Sequence, residues 1–233
     1  LKVILRILFF QRIHDWLVNA VKQSLAQVQA NSCGSEKKHP CSGRDLSNAA
    51  VSTYLVSSLE NNGTINTTGS MHFLSQVQPD ASFVGQGFCA LAQEKEFMSS
   101  LNATSRNWVI QSINKALPML STWESIDVSY SNMYFMGMVN AIICGEPPGV
   151  DSTLGAASAS HGYALLNRWL EYAAVAGNHE FDSPTYYWVQ FNALGLGCMY
   201  SLNATRRAQL CGVLEHLWAD VASNWFASTE TLS

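Results

Sequence analysis

The sequence predicts an all-α protein built from antiparallel helix pairs that form part of an (α/α) toroid. Apolar residues recur at helical spacing along most of the chain, and we find no alternating strand of useful length. From residue 131 onward the predicted helices are long and joined by short connections, which makes consecutive helices antiparallel neighbours. Small residues alternate there with large aromatic ones, and this permits close helix approach. Periodicity alone does not separate a closed toroid from a solenoid.

The composition bounds the size and the partners of the protein. Its 233 residues are 48% hydrophobic and 13% charged, enough for a sizeable core, and the length allows one large domain or two small ones. We predict a single helical domain over residues 1–233. The net charge is -4, and no basic run is interleaved with aromatic residues, so nucleic acid is not expected as a partner. Because the chain opens without Met, we expect it to be an excerpt of a longer toroid.

The first predicted helix covers about residues 2–29. Its opening stretch LKVILRILFF contains Lys2 and Arg6 and is too short to span a membrane, so no membrane span is expected in this segment. It is either the remnant of a signal-peptide core or the buried start of the helix. Apolar positions continue at helical spacing as far as Val28, which favours the helix.

The other helices are delimited by caps, turns and prolines. Asp45 can cap a helix, and the segment NNGTINTTGS that follows this helix has the composition of a loop. Pro118 and the prolines of GEPPG close two further helices. Ser183 and Pro184 supply an N-cap and a first helical residue. The predicted helices are 45–59, 85–101, 105–117, 131–144, 151–176, 185–201 and 204–225.

The six cysteines contain no CxxC pair, which gives no support to a zinc or thioredoxin-like site. Cys33 and Cys41 flank a polar loop and could close it as a local disulfide. The other four lie among apolar neighbours, and we expect them to be buried free thiols. These are Cys89, Cys144, Cys198 and Cys211.

Four Asn-x-Ser/Thr sequons lie in segments that look like loops or helix ends. They are Asn62, Asn66, Asn102 and Asn203. Together with the Cys33–Cys41 loop, the sequons favour a secreted or lumenal glycoprotein.

The segment GNHEFDSPTYYW holds the residues that most suggest chemistry. It is predicted to join two helices, with Asn178, His179 and Glu180 at the mouth of the pair and Tyr186 and Tyr187 in the next first turn. In a structural interpretation, the polar residues cap the helix and the tyrosines pack. In a catalytic interpretation, Asn178 and His179 neutralise the carboxylate of a sugar acid. Tyr186 then serves as base and acid in β-elimination.

Two other chemistries use the same segment. In a glycoside hydrolase, Glu180 and Asp182 would be the acid/base pair, although two carboxylates so close in one loop do not specify it. Metal ligation by His179, Glu180 and Asp182 would need a fourth donor that we cannot name. We therefore predict neither a metal site nor a cofactor.

Three further residues, together with Tyr187, are candidate substrate ligands. Tyr130 and Asn132 precede and open one helix of the preceding pair, where they could bind sugar hydroxyls or could simply cap and pack. His161 lies within a helix, where a histidine is more often a satisfied core or groove residue than a catalyst.

The segments YSNMYFMGMVNAIICGE and GNHEFDSPTYYWVQFNALGLG resemble a family of large (α/α) toroid proteins with the motif Glu-Phe/Tyr-Asn/Asp-Ser-Pro-Thr-Tyr. The resemblance covers roughly residues 124–233. The matching positions are Glu146, Glu180, Ser183, Pro184, Thr185 and Tyr186. This family is similar in architecture to the toroids of alginate and heparin lyases. In such lyases an Asn-His pair and a Tyr do the chemistry, and Asn178, His179 and Tyr186 are similar in type.

The leading prediction is a secreted carbohydrate-active protein that cleaves an acidic, uronic-acid polysaccharide by β-elimination. The alternatives are a non-catalytic helical domain that binds glycans or another partner, and a hydrolase that uses Glu180 and Asp182. A toroid acting on a terpenoid would need an Asp-rich motif, which the sequence does not show.

Overall fold

The structure is a computed structural model that describes residues 42–60, 65–125, 127–178 and 183–223, the pairs 225–226 and 231–232, and four isolated positions. Those four positions, 19, 22, 23 and 26, are helical and fall in the predicted first helix. The rest of that helix, the Cys33–Cys41 loop and the Asn62 sequon lie outside the described residues.

The described residues are helical apart from turns, loops and one pair of two-residue strands, which confirms the all-α prediction. The helices are α1 (Gly43–Glu60), α2 (Thr67–Leu74), α3 (Phe83–Gln93), α4 (Lys95–Ser100), α5 (Ala103–Leu120), α6 (Ser131–Gly145), α7 (Ser152–Ala176), α8 (Pro184–Tyr200) and α9 (Ala204–Ser223). Strands β1 (Trp225–Phe226) and β2 (Thr231–Leu232) pair antiparallel after α9. Within these residues, no helix combines the length and the apolarity that crossing a bilayer requires.

Helix α6 is the centre of the described fold. All of its residues except Met133 are buried, and it packs against α3, α5, α7 and α8. Its contact with α7 is backbone to backbone: a Cβ added to Gly145 would lie 2.5 Å from the carbonyl oxygen of Gly155, and one added to Gly162 would lie 2.7 Å from that of Met138. The small residues therefore permit the close approach that the sequence predicts.

Helix α2 occupies part of the segment that we predicted to be a loop. The Oδ1 of Asn66 accepts a hydrogen bond of 2.9 Å from the Gly69 N–H and caps the helix. Phe73 and Leu74 are buried at its C-terminal end and anchor it to the core. Because the segment is rich in polar residues, its composition predicts a loop, although it contains the Asn66 cap and begins a helix with a short buried face.

The helix predicted over 85–101 is divided into α3 and α4 at Glu94, where the backbone is extended (φ -73°, ψ 109°). The Glu94 carboxylate accepts hydrogen bonds from the hydroxyls of Tyr54 on α1 and Tyr200 on α8. The Glu94 carboxylate at this break therefore connects the α3–α4 junction to α1 and α8.

Helix α5 continues past Pro118, where we predicted its end. Pro118 stands in the last turn, so its missing N–H costs a single helical hydrogen bond. The hydroxyls of Ser121 and Thr122 donate to its carbonyl oxygen at 2.9 and 3.2 Å and close the turn.

Two disulfides correct the prediction of four buried free thiols. Cys89 on α3 is bonded to Cys144 on α6, and Cys198 on α8 is bonded to Cys211 on α9, with Cα–Cα distances of 5.0 and 4.8 Å. Apolar neighbours do not distinguish a buried thiol from a buried disulfide, because the pairing depends on how the helices pack. Disulfides persist in oxidising compartments, so they are compatible with a secreted or lumenal protein.

Candidate functional site

The predicted catalytic segment lies at the junction of α7 and α8, and the structure describes part of it. Gly177 ends α7 with φ +71°, a left-handed conformation that suits glycine. Ser183 is the N-cap of α8, and its hydroxyl oxygen accepts a hydrogen bond from the Tyr186 N–H at 3.4 Å. The helix boundary follows the sequence prediction. His179, Glu180 and Asp182 lie outside the described residues.

Asn178 is anchored to the interior of α8. Its Nδ2 donates a hydrogen bond of 3.0 Å to the Oε1 of Gln190, which is fully buried. Its Oδ1 is also buried and accepts no hydrogen bond from any described residue. The hydrogen bond to Gln190 thus fixes the orientation of the side chain, and its buried Oδ1 has no partner among the described residues.

The two tyrosines of the segment differ in their surroundings. The Tyr186 side chain is 40% exposed. Tyr187 is buried, its hydroxyl donates to the Asp220 carboxylate on α9, and its ring stacks on Phe191 at 5.5 Å. Phe191 in turn stacks on Trp218 of α9 at 4.2 Å. Tyr187 therefore joins α8 to α9, and Tyr186 is the more exposed tyrosine of this pair.

The other candidate ligands lie on α6 and α7. Tyr130 is 45% exposed just before α6, whereas Asn132 is buried in its first turn. The hydroxyl of Tyr134 reaches the carbonyl oxygen of Leu165, so the start of α6 lies toward the C-terminal half of α7. Tyr130 and Asn132 therefore lie toward the α7–α8 junction. The Nε2–H of His161 donates to the Trp123 carbonyl oxygen at 2.6 Å, so this nitrogen already has a protein partner.

A cleft of about 510 Å³ opens at the other end of α8, where no motif in the sequence indicated a site. Its apolar or small lining residues come from one face of α7: Ala156, Ala159, Ser160 and Ala164. Its larger polar lining residues are Tyr163 and Asn167 of α7, Asn203 of the α8–α9 turn and Arg206 of α9. Tyr186 and the α8–α9 turn are about 22 Å apart at 1.5 Å per helical residue. We call this the Arg206 cleft.

Arg206 is held in one orientation at this cleft. Its Nη1 donates to the Oδ1 of Asn167 at 2.7 Å and to the Oε1 of Gln209 at 2.9 Å. Its guanidinium carbon lies 5.6 Å from the centre of the Tyr163 ring, in a cation–π contact. No described residue accepts a hydrogen bond from Nε or Nη2, and no described carboxylate pairs with this guanidinium. Nε and Nη2 form one edge of the planar group, which matches the two oxygens of a carboxylate.

A hydrogen-bonded network fixes the turn that carries Asn203. The Tyr163 hydroxyl donates to the Oε1 of Glu146 at 2.5 Å and lies 2.7 Å from the Ser201 hydroxyl. The Leu202 N–H donates to the other oxygen of Glu146 at 2.7 Å. Burial, followed by the bond to Glu146, raises the pKa of Tyr163 far above its ordinary range, so the phenol stays neutral. Glu146, one of the motif positions, thus ties α6 and α7 to the α8–α9 turn.

The residues that line the Arg206 cleft can donate and accept hydrogen bonds. Among the described residues, its lining offers one cation together with amide and hydroxyl groups, and contains no carboxylate, histidine or cysteine. Among the described residues of the whole chain, no three His, Cys, Asp or Glu side chains come together to hold a metal ion. From the sequence, the helical period predicts the small, polar face of α7. It does not predict the arginine that contacts this face, because Arg206 is 39 residues away from Asn167.

The chain matches no protein-family model, no curated protein and no solved structure. The toroid arrangement and the lyase chemistry therefore rest on the motifs, and any function for this chain rests on the geometry of its own residues.

Proposed function

We propose that this protein binds an acidic saccharide and that Arg206 holds the carboxylate of a uronic acid residue. One observation carries the proposal: the Nε and Nη2 edge of a fixed guanidinium is unpaired among the described residues and lies at an open cleft. This assignment keeps the predicted partner, an acidic polysaccharide, and gives it a site outside the predicted segment.

The fixed orientation of Arg206 favours binding. A free arginine side chain has about 2 kcal/mol of rotamer entropy to lose when it pairs with a ligand. Asn167, Gln209 and the Tyr163 ring already restrict it, so a ligand meets a donor pair that is preorganised. Hydrogen bonds to a charged group contribute about 1.5–3 kcal/mol each, which makes this pair the main source of affinity.

The surroundings favour a sugar carboxylate over other anions. The described lining contains a single cation, which suits one carboxylate better than a phosphate dianion. The amides of Asn167 and Asn203 and the hydroxyl of Ser160 supply polar groups of the kind that bind sugar hydroxyls. The cleft volume falls within the range of about 300–1,000 Å³ that small-ligand sites occupy.

The test is a titration of the full-length protein with uronic acid oligosaccharides and with their carboxyl-reduced, neutral counterparts. We expect the acidic forms to bind and the Arg206→Gln variant to lose at least about tenfold in affinity, the equivalent of about 1.4 kcal/mol. Arg207→Gln is the matched control, because Arg207 lies on the same helix outside the cleft lining. Equal binding of acidic and neutral oligosaccharides would refute the proposal.

A second candidate function is β-elimination at the α7–α8 junction. The observation that favours it is the pairing of an anchored amide, Asn178, with an exposed tyrosine, Tyr186, on either side of the start of α8. Asn178 and His179 would neutralise the uronate carboxylate, and Tyr186 would remove and return the proton. The test is the ultraviolet absorbance of the unsaturated product, which should be lost in Tyr186→Phe. The hydrolase alternative depends on Glu180 and Asp182.

We also propose that the helices form part of an (α/α) toroid and that the protein is secreted or lumenal. The helix pairs α6–α7 and α8–α9 have the short connections and the close packing that a series of toroid hairpins requires. The two disulfides and the sequons support a secreted or lumenal protein. Small-angle scattering of the full-length protein would distinguish a closed ring from an extended solenoid.

A further inference from the structure

We propose that Asn203 is an N-glycosylation site and that its glycan controls access to the Arg206 cleft. The first half depends only on Asn203 and its surroundings. The second half rests on the function proposed above, in which the cleft takes a uronic acid carboxylate.

The three sequon asparagines that the structure describes share one local arrangement. Asn66, Asn102 and Asn203 each lie just before a helix, and the Oδ1 of each accepts a hydrogen bond from the N–H three residues later. The donors are Gly69, Ser105 and Arg206, at 2.9, 2.8 and 3.1 Å. All three asparagines are exposed, as are the threonines two residues after them. Each sequon is therefore on the surface and held by its oxygen rather than its nitrogen.

Glycosylation is chemically compatible with this capping. A bond forms between the asparagine Nδ2 and the anomeric carbon of the first sugar, while the bond from that carbon to the diphosphate of a lipid-linked oligosaccharide donor breaks. Nδ2 releases one proton to water, and the lipid diphosphate leaves as an anion with the electron pair of the broken bond. The product is a secondary amide whose Oδ1 still accepts, so the cap on the Arg206 N–H persists in the modified protein.

Asn203 differs from the other two because it lines the Arg206 cleft. Its Oδ1 accepts a hydrogen bond from the backbone N–H of Arg206, so the Nδ2 on the same amide lies near the residue that carries the positive charge. The turn cannot easily swing away, because Ser201 and Leu202 are bonded to Tyr163 and Glu146. A glycan on this nitrogen would stand at the mouth of the cleft.

The Cys198–Cys211 disulfide strengthens both halves of the proposal. It joins α8 to α9 on either side of the turn and so limits how far the Asn203 attachment point can move. Together with the Cys89–Cys144 disulfide, it is also typical of folding in an oxidising compartment, where N-glycosylation takes place in eukaryotes.

The first experiment measures the modification itself. The full-length protein is secreted from a eukaryotic host, and the mass of the peptide that contains Asn203 is measured before and after enzymatic removal of N-glycans. We expect a glycan on Asn203 that is absent from Thr205→Ala, a variant that destroys the sequon but keeps the capping asparagine. An unmodified Asn203 overturns the proposal, whatever the state of Asn66 and Asn102.

The second experiment measures access to the cleft, with an oligogalacturonate as the probe. Secreted wild type is compared with secreted Thr205→Ala, because enzymatic removal converts the asparagine to an aspartate whose charge would repel the probe. We expect Thr205→Ala to bind about tenfold more tightly than the glycosylated wild type, a change of about 1.4 kcal/mol. Thr104→Ala, which removes the sequon of Asn102 at the start of α5, is the matched control and should bind like wild type.

The possible failures are distinguishable. Equal affinity of wild type and Thr205→Ala, with the Asn203 glycan present, overturns the control of access but leaves the modification established. If neither protein binds the probe, the acidic-saccharide function and the control of access fail together, and the modification again stands on its mass measurement.

Discussion

The Nη1 of Arg206 donates a hydrogen bond of 2.7 Å to the Oδ1 of Asn167, so the first turn of α9 is fixed against the middle of α7. Because the acceptor is a neutral amide, it orients the guanidinium without cancelling its charge. The positive charge therefore stays available to a ligand at the cleft. A carboxylate in the same place would hold the arginine equally well and would use up its charge.

This difference predicts that Asn167→Asp weakens binding of uronic acid oligosaccharides by about tenfold or more, since each factor of ten corresponds to about 1.4 kcal/mol. Gln209→Glu should act in the same way, because Gln209 is the other acceptor at Nη1. Gln111→Glu, which adds the same charge at an exposed position of α5, is the control. Isothermal titration measures all three. Unchanged affinity in Asn167→Asp, with the protein folded, would contradict the assignment of Arg206.

The space around two helical glycines, Gly162 and Gly212, predicts opposite effects for their substitution by alanine. A Cβ on Gly162 would lie 2.6 Å from a side-chain carbon of Ile142, so Gly162→Ala should destabilise the protein by about 1–3 kcal/mol through overpacking. A Cβ on Gly212 of α9 would meet no atom within 4 Å. Gly212→Ala should therefore stabilise it by about 0.5–1 kcal/mol, the usual difference in helix propensity. Denaturant unfolding measures both, and a neutral Gly162→Ala would contradict the close packing.

Buried tyrosines predict a loss of stability at high pH. Burial raises the pKa of Tyr134 to about 12, and burial together with the nearby Glu94 carboxylate raises that of Tyr54 to about 12. Below about pH 10, the phenols are protonated in both the folded and unfolded chains. Between about pH 10 and 12, the unfolded chain has released protons that the folded protein keeps. The free energy of unfolding should therefore fall as the pH rises through this window.

Because lysines titrate in the same range, the informative comparison is with Tyr134→Phe. This variant should lose about 1 kcal/mol at neutral pH, because the hydrogen bond to the Leu165 carbonyl oxygen disappears. Its stability should then fall less steeply than that of wild type between about pH 10 and 12. Tyr130→Phe, at an exposed position, is the control for deletion of a hydroxyl. Parallel curves for wild type and Tyr134→Phe through this window would contradict the prediction.

Local signals specify the helix ends, whereas pairing between helices decides the rest. The predicted helix 151–176 matches α7 to within one residue, because Asp151 accepts hydrogen bonds from the first-turn amides and Gly177 ends the helix with a positive φ. Both features act within a few residues of the chain. The division at Glu94 has a cause of another kind, since the hydroxyl that reaches it from Tyr200 lies 106 residues away.

The same distinction separates the two candidate sites. The α7–α8 junction was predicted because its polar residues are contiguous in sequence, and contiguity is what a motif search detects. The Arg206 cleft has no contiguous signature: it requires the small face of α7, the turn that follows α8 and an arginine of α9. Disulfide pairing escaped prediction for the same reason, since Cys89 and Cys144 are 55 residues apart.

The adjacent tyrosines at the start of α8 provide the last prediction, because the structure gives them different roles. Tyr187 is buried and hydrogen-bonded to the Asp220 carboxylate, so Tyr187→Phe should lower the free energy of unfolding by about 1.5–3 kcal/mol, as the loss of a hydrogen bond to a charged group does. Tyr186 is partly exposed, so Tyr186→Phe should change stability by less than about 0.5 kcal/mol. If the α7–α8 junction is a lyase site, Tyr186→Phe should nevertheless abolish formation of the unsaturated product. Tyr187→Phe should still form the product at temperatures below the melting temperature of that variant. Thermal unfolding and the ultraviolet assay on the same samples separate the two effects. If product is lost in Tyr187→Phe but not in Tyr186→Phe, Tyr186 is not the base and acid, and the proposed lyase mechanism is contradicted.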